Sequence, residues 1–119
     1  MDDEPSLLKM MSVYLTRRGF MVETALSAEQ GLAVLRASPD GFGVAVLDAT
    51  MAGMSLEELA SEMLLVTPGL CLIAASGYPV DMTKLEAAAP GRVTFLHKPF
   101  APEMLAKTVR RMLDTEEAV

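Results

Sequence analysis

Five polar residues carry most of the chemistry this sequence can do: the adjacent acids Asp2 and Asp3, a third acid at Asp48, a hydroxyl at Ser76 and an amine at Lys98. The last three each follow an apolar run: GVAVL (43–47) before Asp48, LCLIAA (70–75) before Ser76 and VTFLH (93–97) before Lys98. Three carboxylates held close together repel one another, a cost that a hard divalent cation with oxygen ligands offsets, so Mg2+ (or Mn2+) is the expected cofactor. A hydroxyl and an ammonium beside them offer donors to the oxygens of a transferring phosphoryl group, and a carboxylate such as Asp48 can act as nucleophile. Taken singly, each has a plainer reading: helix capping for Asp2 and Asp3, an Asx turn for Asp48, a strand-end hydroxyl for Ser76, a solvated lysine for Lys98. Their joint placement is harder to dismiss.

That placement depends on the elements between them. Leu7, Leu8, Met11, Val13, Tyr14 and Leu15 recur at helical spacing after Pro5 and before Arg17, Arg18 and Gly19, which predicts a first helix. MVETA (21–25) is expected to be a strand, and Ser27 to Gln30 has capping-box spacing for a helix ending near Ser38 and Pro39. GVAVL and LCLIAA show no alternation, as in strands covered on both faces, and VTFLH is expected to be the last strand. Between them come a helix over 55–65, a weak Ala-rich helix over 82–89 and, after Pro102, a helix carrying Met104, Leu105, Val109 and Met112. The expected domain spans 1–113, with 114–119 a flexible tail. Alternation of strand and helix implies an α/β fold, a doubly wound parallel sheet whose ligands gather at the strands' carboxyl ends.

Composition sets the outer limits. A chain of 119 residues, 51% hydrophobic, supports one domain with one core. A formal charge of −6 argues against direct nucleic-acid binding and against an anionic membrane surface. No apolar span of membrane length and no secretory leader pattern occurs, so a cytoplasmic location is expected. The single cysteine, Cys71, lies in an apolar run and reads as a core thiol; the ten methionines are scattered and read as packing.

The acidic pair in DDEP, VLDATMAGMS around Asp48, ASGY around Ser76 and HKPF around Lys98 together resemble the receiver domain of two-component response regulators (the CheY-like, flavodoxin-like fold). The resemblance covers Asp2 to about Leu113. It implies that Asp48 accepts a phosphoryl group from a histidine kinase or phosphotransfer domain, with limited self-phosphorylation and autodephosphorylation rather than turnover of an external substrate. It implies metal binding by Asp2, Asp3, Asp48 and the Thr50 carbonyl, and catalytic roles for Asp48, Ser76 and Lys98. Ser76 and Phe95 take the switch positions, and the Lys98 to Pro99 peptide bond is the candidate for a cis bond. The switching surface would be 82–113, where Lys107, Arg110 and Arg111 add positive charge.

The chain departs from that pattern in several places. Only Met1 precedes the acidic pair, where the family carries an apolar strand central to its sheet; the natural chain could be longer and this form a fragment of it, four remaining strands could close up, or two chains could complement one another as a homodimer through exposed edges or the 82–113 surface. Ala52 and Leu56 stand where the family commonly has proline and glycine. The competing reading is an interaction or dimerisation module that keeps the fold without phosphotransfer. A phosphatase of the aspartyl-intermediate kind is disfavoured, since DATMA has no second acid two residues after Asp48, and no glycine-rich nucleotide loop is present.

Overall fold

The computed structural model describes residues 1–51 and 53–117. In chain order the elements are α1 (Pro5–Arg17), α2 (Ala28–Ala37), β1 (Val44–Asp48), α3 (Leu56–Val66), β2 (Cys71–Ser76), α4 (Thr83–Ala88), β3 (Val93–His97) and α5 (Pro102–Glu117). The helices begin where local chemistry favours it. Pro5 opens α1, where its missing N–H costs nothing. Ser27 and Ser55 cap α2 and α3, each hydroxyl accepting from the backbone N–H three residues on, of Gln30 and Glu58 respectively, at 3.1 Å. Replacing the second cap, Ser55→Ala, is expected to lower stability by about 1 kcal/mol in a denaturant titration, with the fold unchanged.

The three strands are parallel in the order β1-β2-β3, with Leu47 opposite Ala74 and Ala74 opposite Phe95. All six residues of β2 are buried, which is why LCLIAA carries no polar alternation. Helices cover both faces. On one face α2 and α3 pack Leu32, Leu35, Leu59 and Met63 against Leu47, Leu72 and Ala74. On the other, α1 and α5 pack Leu8, Met11, Leu15, Leu105 and Val109 against Cys71 and Ile73. This is the doubly wound arrangement expected from the alternation of elements. Cys71 is buried as a core thiol.

Two expectations are corrected. MVETA (21–25) is not a strand, and the sheet does not close up into four strands. The reason lies at the amino terminus. Met1 donates its ammonium to the Val46 carbonyl at 2.6 Å and accepts from the Asp48 N–H at 3.0 Å, while the Asp2 N–H donates to the Ala25 carbonyl at 3.1 Å. Met1 and Asp2 thus bridge β1 and the 21–25 segment for a residue or two, too short a ladder to hold that segment as a strand. Behind them, between β1 and residues 21–25, lies a cavity of about 240 Å³.

At the other end, α5 continues to Glu117, so 114–117 extend the helix instead of forming a tail; residues 118 and 119 lie outside the described residues. Ala52 does so too. Leu56 is buried as the first residue of α3, packed in the core.

Candidate functional site

The carboxyl ends of the three strands, with the chain start tucked beside β1, bring the polar residues to one rim. Asp48 is the last residue of β1, Ser76 the last of β2, and Lys98 follows β3 directly. Parallel pairing makes this inevitable: strands running the same way end on the same side. The Lys98 N–H donates to the Ser76 carbonyl at 2.8 Å, holding the third loop against the second, and the Lys98–Pro99 bond is cis as expected.

Asp2 and Asp48 are 3% and 6% exposed, an unusual depth for two acids with no apolar alternative nearby. Lys98 answers both. Its Nζ donates to Asp2 Oδ2 at 2.7 Å and lies 3.5 Å from Asp48 Oδ1. Partial burial pulls the Lys98 pKa down, but the hydrogen bond it donates to Asp2 and the charges of Asp48 and Asp2 outweigh it, so the net shift is upward. The amine therefore stays protonated at neutral pH. Burial pushes the Met1 ammonium the other way, downward, against the opposing pull of Asp2 and Asp48.

The remaining contacts orient the acids. Asp2 Oδ1 accepts from the Glu4 N–H at 3.0 Å, an Asx turn rather than a helix cap. Asp48 Oδ1 accepts from both the N–H and the hydroxyl of Thr50, at 3.1 and 2.9 Å. One oxygen of Asp48 is thereby held. Asp3 is exposed, yet one carboxylate oxygen from each of Asp2, Asp3 and Asp48 lies within 4.8 Å of the others. An all-oxygen donor set of three acids, two of them buried, fits a small hard dication better than any soft metal. Thr50 belongs to the same loop.

Ser76 is 1% exposed, and its hydroxyl oxygen accepts from the Tyr78 N–H at 3.1 Å. Tyr78 itself is exposed. Phe95 is half-buried on β3 and stands edge-on to His97, with ring centroids 6.4 Å apart. Of the candidate metal, catalytic and switch residues, Asp2, Asp3, Asp48, Thr50, Ser76 and Lys98 lie at the strand-end rim, and Phe95 sits in the middle of β3. Two contributions were missed. The backbone of Met1 ties Asp48 into place, and the Thr50 side chain, considered only for its carbonyl, holds an Asp48 oxygen. The second was legible, since Asp-x-Thr is a common spacing for a side-chain-closed turn.

Among the described residues no helix is long and apolar enough to cross a membrane. A family model described as response regulator receiver domain matches residues 1–110. Among characterised proteins, the C4-dicarboxylate transport transcriptional regulatory protein DctD of Rhizobium meliloti is 34% identical over 92% of this chain and 24% of its own length. The chain spans about a quarter of the length of the first relatives it matches. Among solved structures, a CheY-like receiver domain protein from Methanospirillum hungatei superposes with a TM-score of 0.84 at 27% identity, covering 98% of this chain and 92% of that one. The chemotaxis protein CheY4 of Vibrio cholerae gives 0.80 at 29% identity, covering 93% and 92%.

Proposed function

Because the chain belongs to the response regulator receiver domain family, we propose that it takes a phosphoryl group onto Asp48 from the phosphohistidine of a histidine kinase or phosphotransfer domain and signals by the change this makes. The observation that carries the reading is the buried Asp48 carboxylate facing both the Lys98 amine and the acids Asp2 and Asp3. In the transfer the P–N bond to the donor imidazole breaks as an Asp48 oxygen bonds to phosphorus, and the imidazole keeps the electron pair. Thr50 holds Oδ1, so Oδ2 is the attacking oxygen. Lys98 changes partners: its amine leaves Asp2 to meet the incoming phosphoryl oxygens, a short movement for a flexible side chain. Asp2, Asp3 and Asp48, with the Thr50 carbonyl, would hold a Mg2+ ion, which would supply the positive charge that lets a carboxylate approach an anionic phosphorus centre.

The acyl phosphate adds negative charge and acceptor oxygens at the carboxyl end of β1. The Ser76 hydroxyl, now accepting from Tyr78, is the neighbouring donor that can turn to it, taking the 77–81 loop along. Phe95 then follows inward, and the surface from 82 to 113, with exposed Lys107, Arg110 and Arg111, presents the altered face to a partner or a second copy. The receiver unit covers 1–113. A cytoplasmic site of action without direct nucleic-acid contact suits the charge of −6.

Intact-mass measurement after incubation with Mg2+ and acetyl phosphate tests this. One phosphoryl group per chain is expected, lost on adding EDTA before the donor. A folded chain that takes up no phosphoryl group would instead establish an interaction module that keeps only the fold.

A further inference from the structure

Positive and negative charge are segregated between two helices on opposite faces of the sheet. From Pro5 to Val22 there is no acidic residue, and α1 carries Lys9 and Arg17, with Arg18 as its carboxyl-terminal cap. In α3 the bias is reversed: Glu57, Glu58 and Glu62 stand without a base. The first helix packs on the face with Cys71 and Ile73, the second on the face with Leu72 and Ala74. Each also leaves large apolar side chains in solvent: Met10 (43% exposed) and Val13 (42%) on α1, and Leu65 (79%) on α3. Among the described residues Arg17, Arg18, Glu57 and Glu58 enter no ion pair.

The two exposed stripes match in length and polarity. On α1, Met10, Val13, Tyr14 and Arg17 follow the i, i+3, i+4, i+7 spacing of one helix face, and on α3 Glu58, Ser61, Glu62 and Leu65 do the same. In both stripes the charged and apolar ends are two turns apart, about 10.5 Å along the axis. Laid antiparallel, one register satisfies both ends, with Met10 against Leu65 and Arg17 against Glu58. The same register sets Arg18 against Glu57 and Tyr14 against Ser61, whose small side chain leaves room for a ring. Arg18 is already turned onto this face, since its guanidinium lies 4.6 Å from the Tyr14 ring centroid and donates to the Tyr14 hydroxyl at 2.6 Å. Glu62, which falls opposite Val13, is the acid of α3 already paired, with Arg36 at 3.4 Å. The two acids without a cation therefore face the two arginines.

We propose that the exposed stripe of α1 docks antiparallel on the exposed stripe of α3 of a second copy of this chain. Met10 on Leu65 is the apolar anchor, and Arg17 and Arg18 pair with Glu58 and Glu57. Because the two stripes lie on opposite faces of one molecule, the contact is heterologous. Each copy keeps an unused α1 on one side or an unused α3 on the other, and association continues past the dimer. A single helix pair falls below about 1,200 Å2 of interface, so the assembly is weak, reversible and salt-sensitive. Neither stripe includes a residue of the rim, so the inference is independent of phosphoryl transfer at Asp48.

Sedimentation velocity of the full chain over a rising concentration series tests this, with amide chemical shifts followed on dilution. The weight-average mass is expected to climb past twice that of the monomer, and the shifts that move are those of α1 and α3. Raising NaCl from about 0.05 M to about 0.5 M weakens association at least about tenfold. Leu65→Ser, at a side chain already in solvent, weakens it about tenfold with the fold unaffected. The doubly substituted chains Arg17→Glu with Arg18→Glu, and Glu57→Lys with Glu58→Lys, are checked for folding by circular dichroism. Each is expected to be monomeric alone and to associate when mixed with the other, because each supplies the charge the other needs. The proposal is overturned if the parent stays monomeric, which leaves the stripes to another partner, or if association stops at a dimer. It is also overturned if the moving shifts lie outside α1 and α3, or if the two folded variants do not associate when mixed.

Discussion

Asp48→Asn abolishes phosphoryl uptake while leaving the fold in place. Incubated with acetyl phosphate and Mg2+, the variant is expected to incorporate label at least about 1,000-fold more slowly than the parent, because the amide offers no anionic oxygen to attack phosphorus. The substitution is close to isosteric. The amide oxygen can still accept from the Thr50 N–H and hydroxyl, and the backbone N–H still donates to Met1. Circular dichroism should therefore match the parent, and stability should change by no more than about 1 kcal/mol. Residual uptake at the parental rate would move the acceptor to another side chain and defeat the assignment of Asp48.

Lys98→Met produces the largest change in stability, and that change depends on metal. Removing the amine leaves Asp2 and Asp48 buried and facing each other without their shared cation. Breaking a buried pair from one side costs about 3 kcal/mol, and Lys98 is 23% exposed, so the loss should fall near that figure or slightly below it. A denaturant titration in EDTA measures it. Adding Mg2+ at about one hundred times its dissociation constant restores about 2.7 kcal/mol, since the dication now balances the same acids. Phosphoryl uptake should stay impaired even in saturating Mg2+, because the amine that meets the phosphoryl oxygens is gone. A Lys98→Met chain as stable in EDTA as in Mg2+ would show that the acids neither need the amine nor hold the metal.

These two results bear on different properties of one cluster. In the proposed transfer Asp48 is the nucleophile, whereas Lys98 supplies the charge beside two acids that sit nine-tenths buried at a strand end. An amine among three carboxylates balances their charge, and the same donor set fits a hard dication.

Much of this was readable along the chain. Apolar runs without alternation at 43–47 and 70–75, with VTFLH at 93–97 after them, mark the strands, and helical stripes between them force parallel crossovers. Once the strands are parallel, Asp48, Ser76 and Lys98 must share a rim, because residues that end such runs end on one side of the sheet. Periodicity and topology are local and chiral rules, so a single sequence states them. The three-dimensional structure decided what those rules do not reach. MVETA has strand composition, yet a strand exists only through its neighbour's backbone, and here Met1 and Asp2 supply a residue or two of pairing. The choice of Lys98 as the partner of Asp2, 96 residues away, is likewise a matter of distance through space. So is the capture of one Asp48 oxygen by the Thr50 hydroxyl. Residue types and spacing determined which groups meet; only the folded backbone determined which hydrogen bonds they make and which they leave unmade, because pairing depends on atoms brought to within about 3 Å from distant parts of the chain.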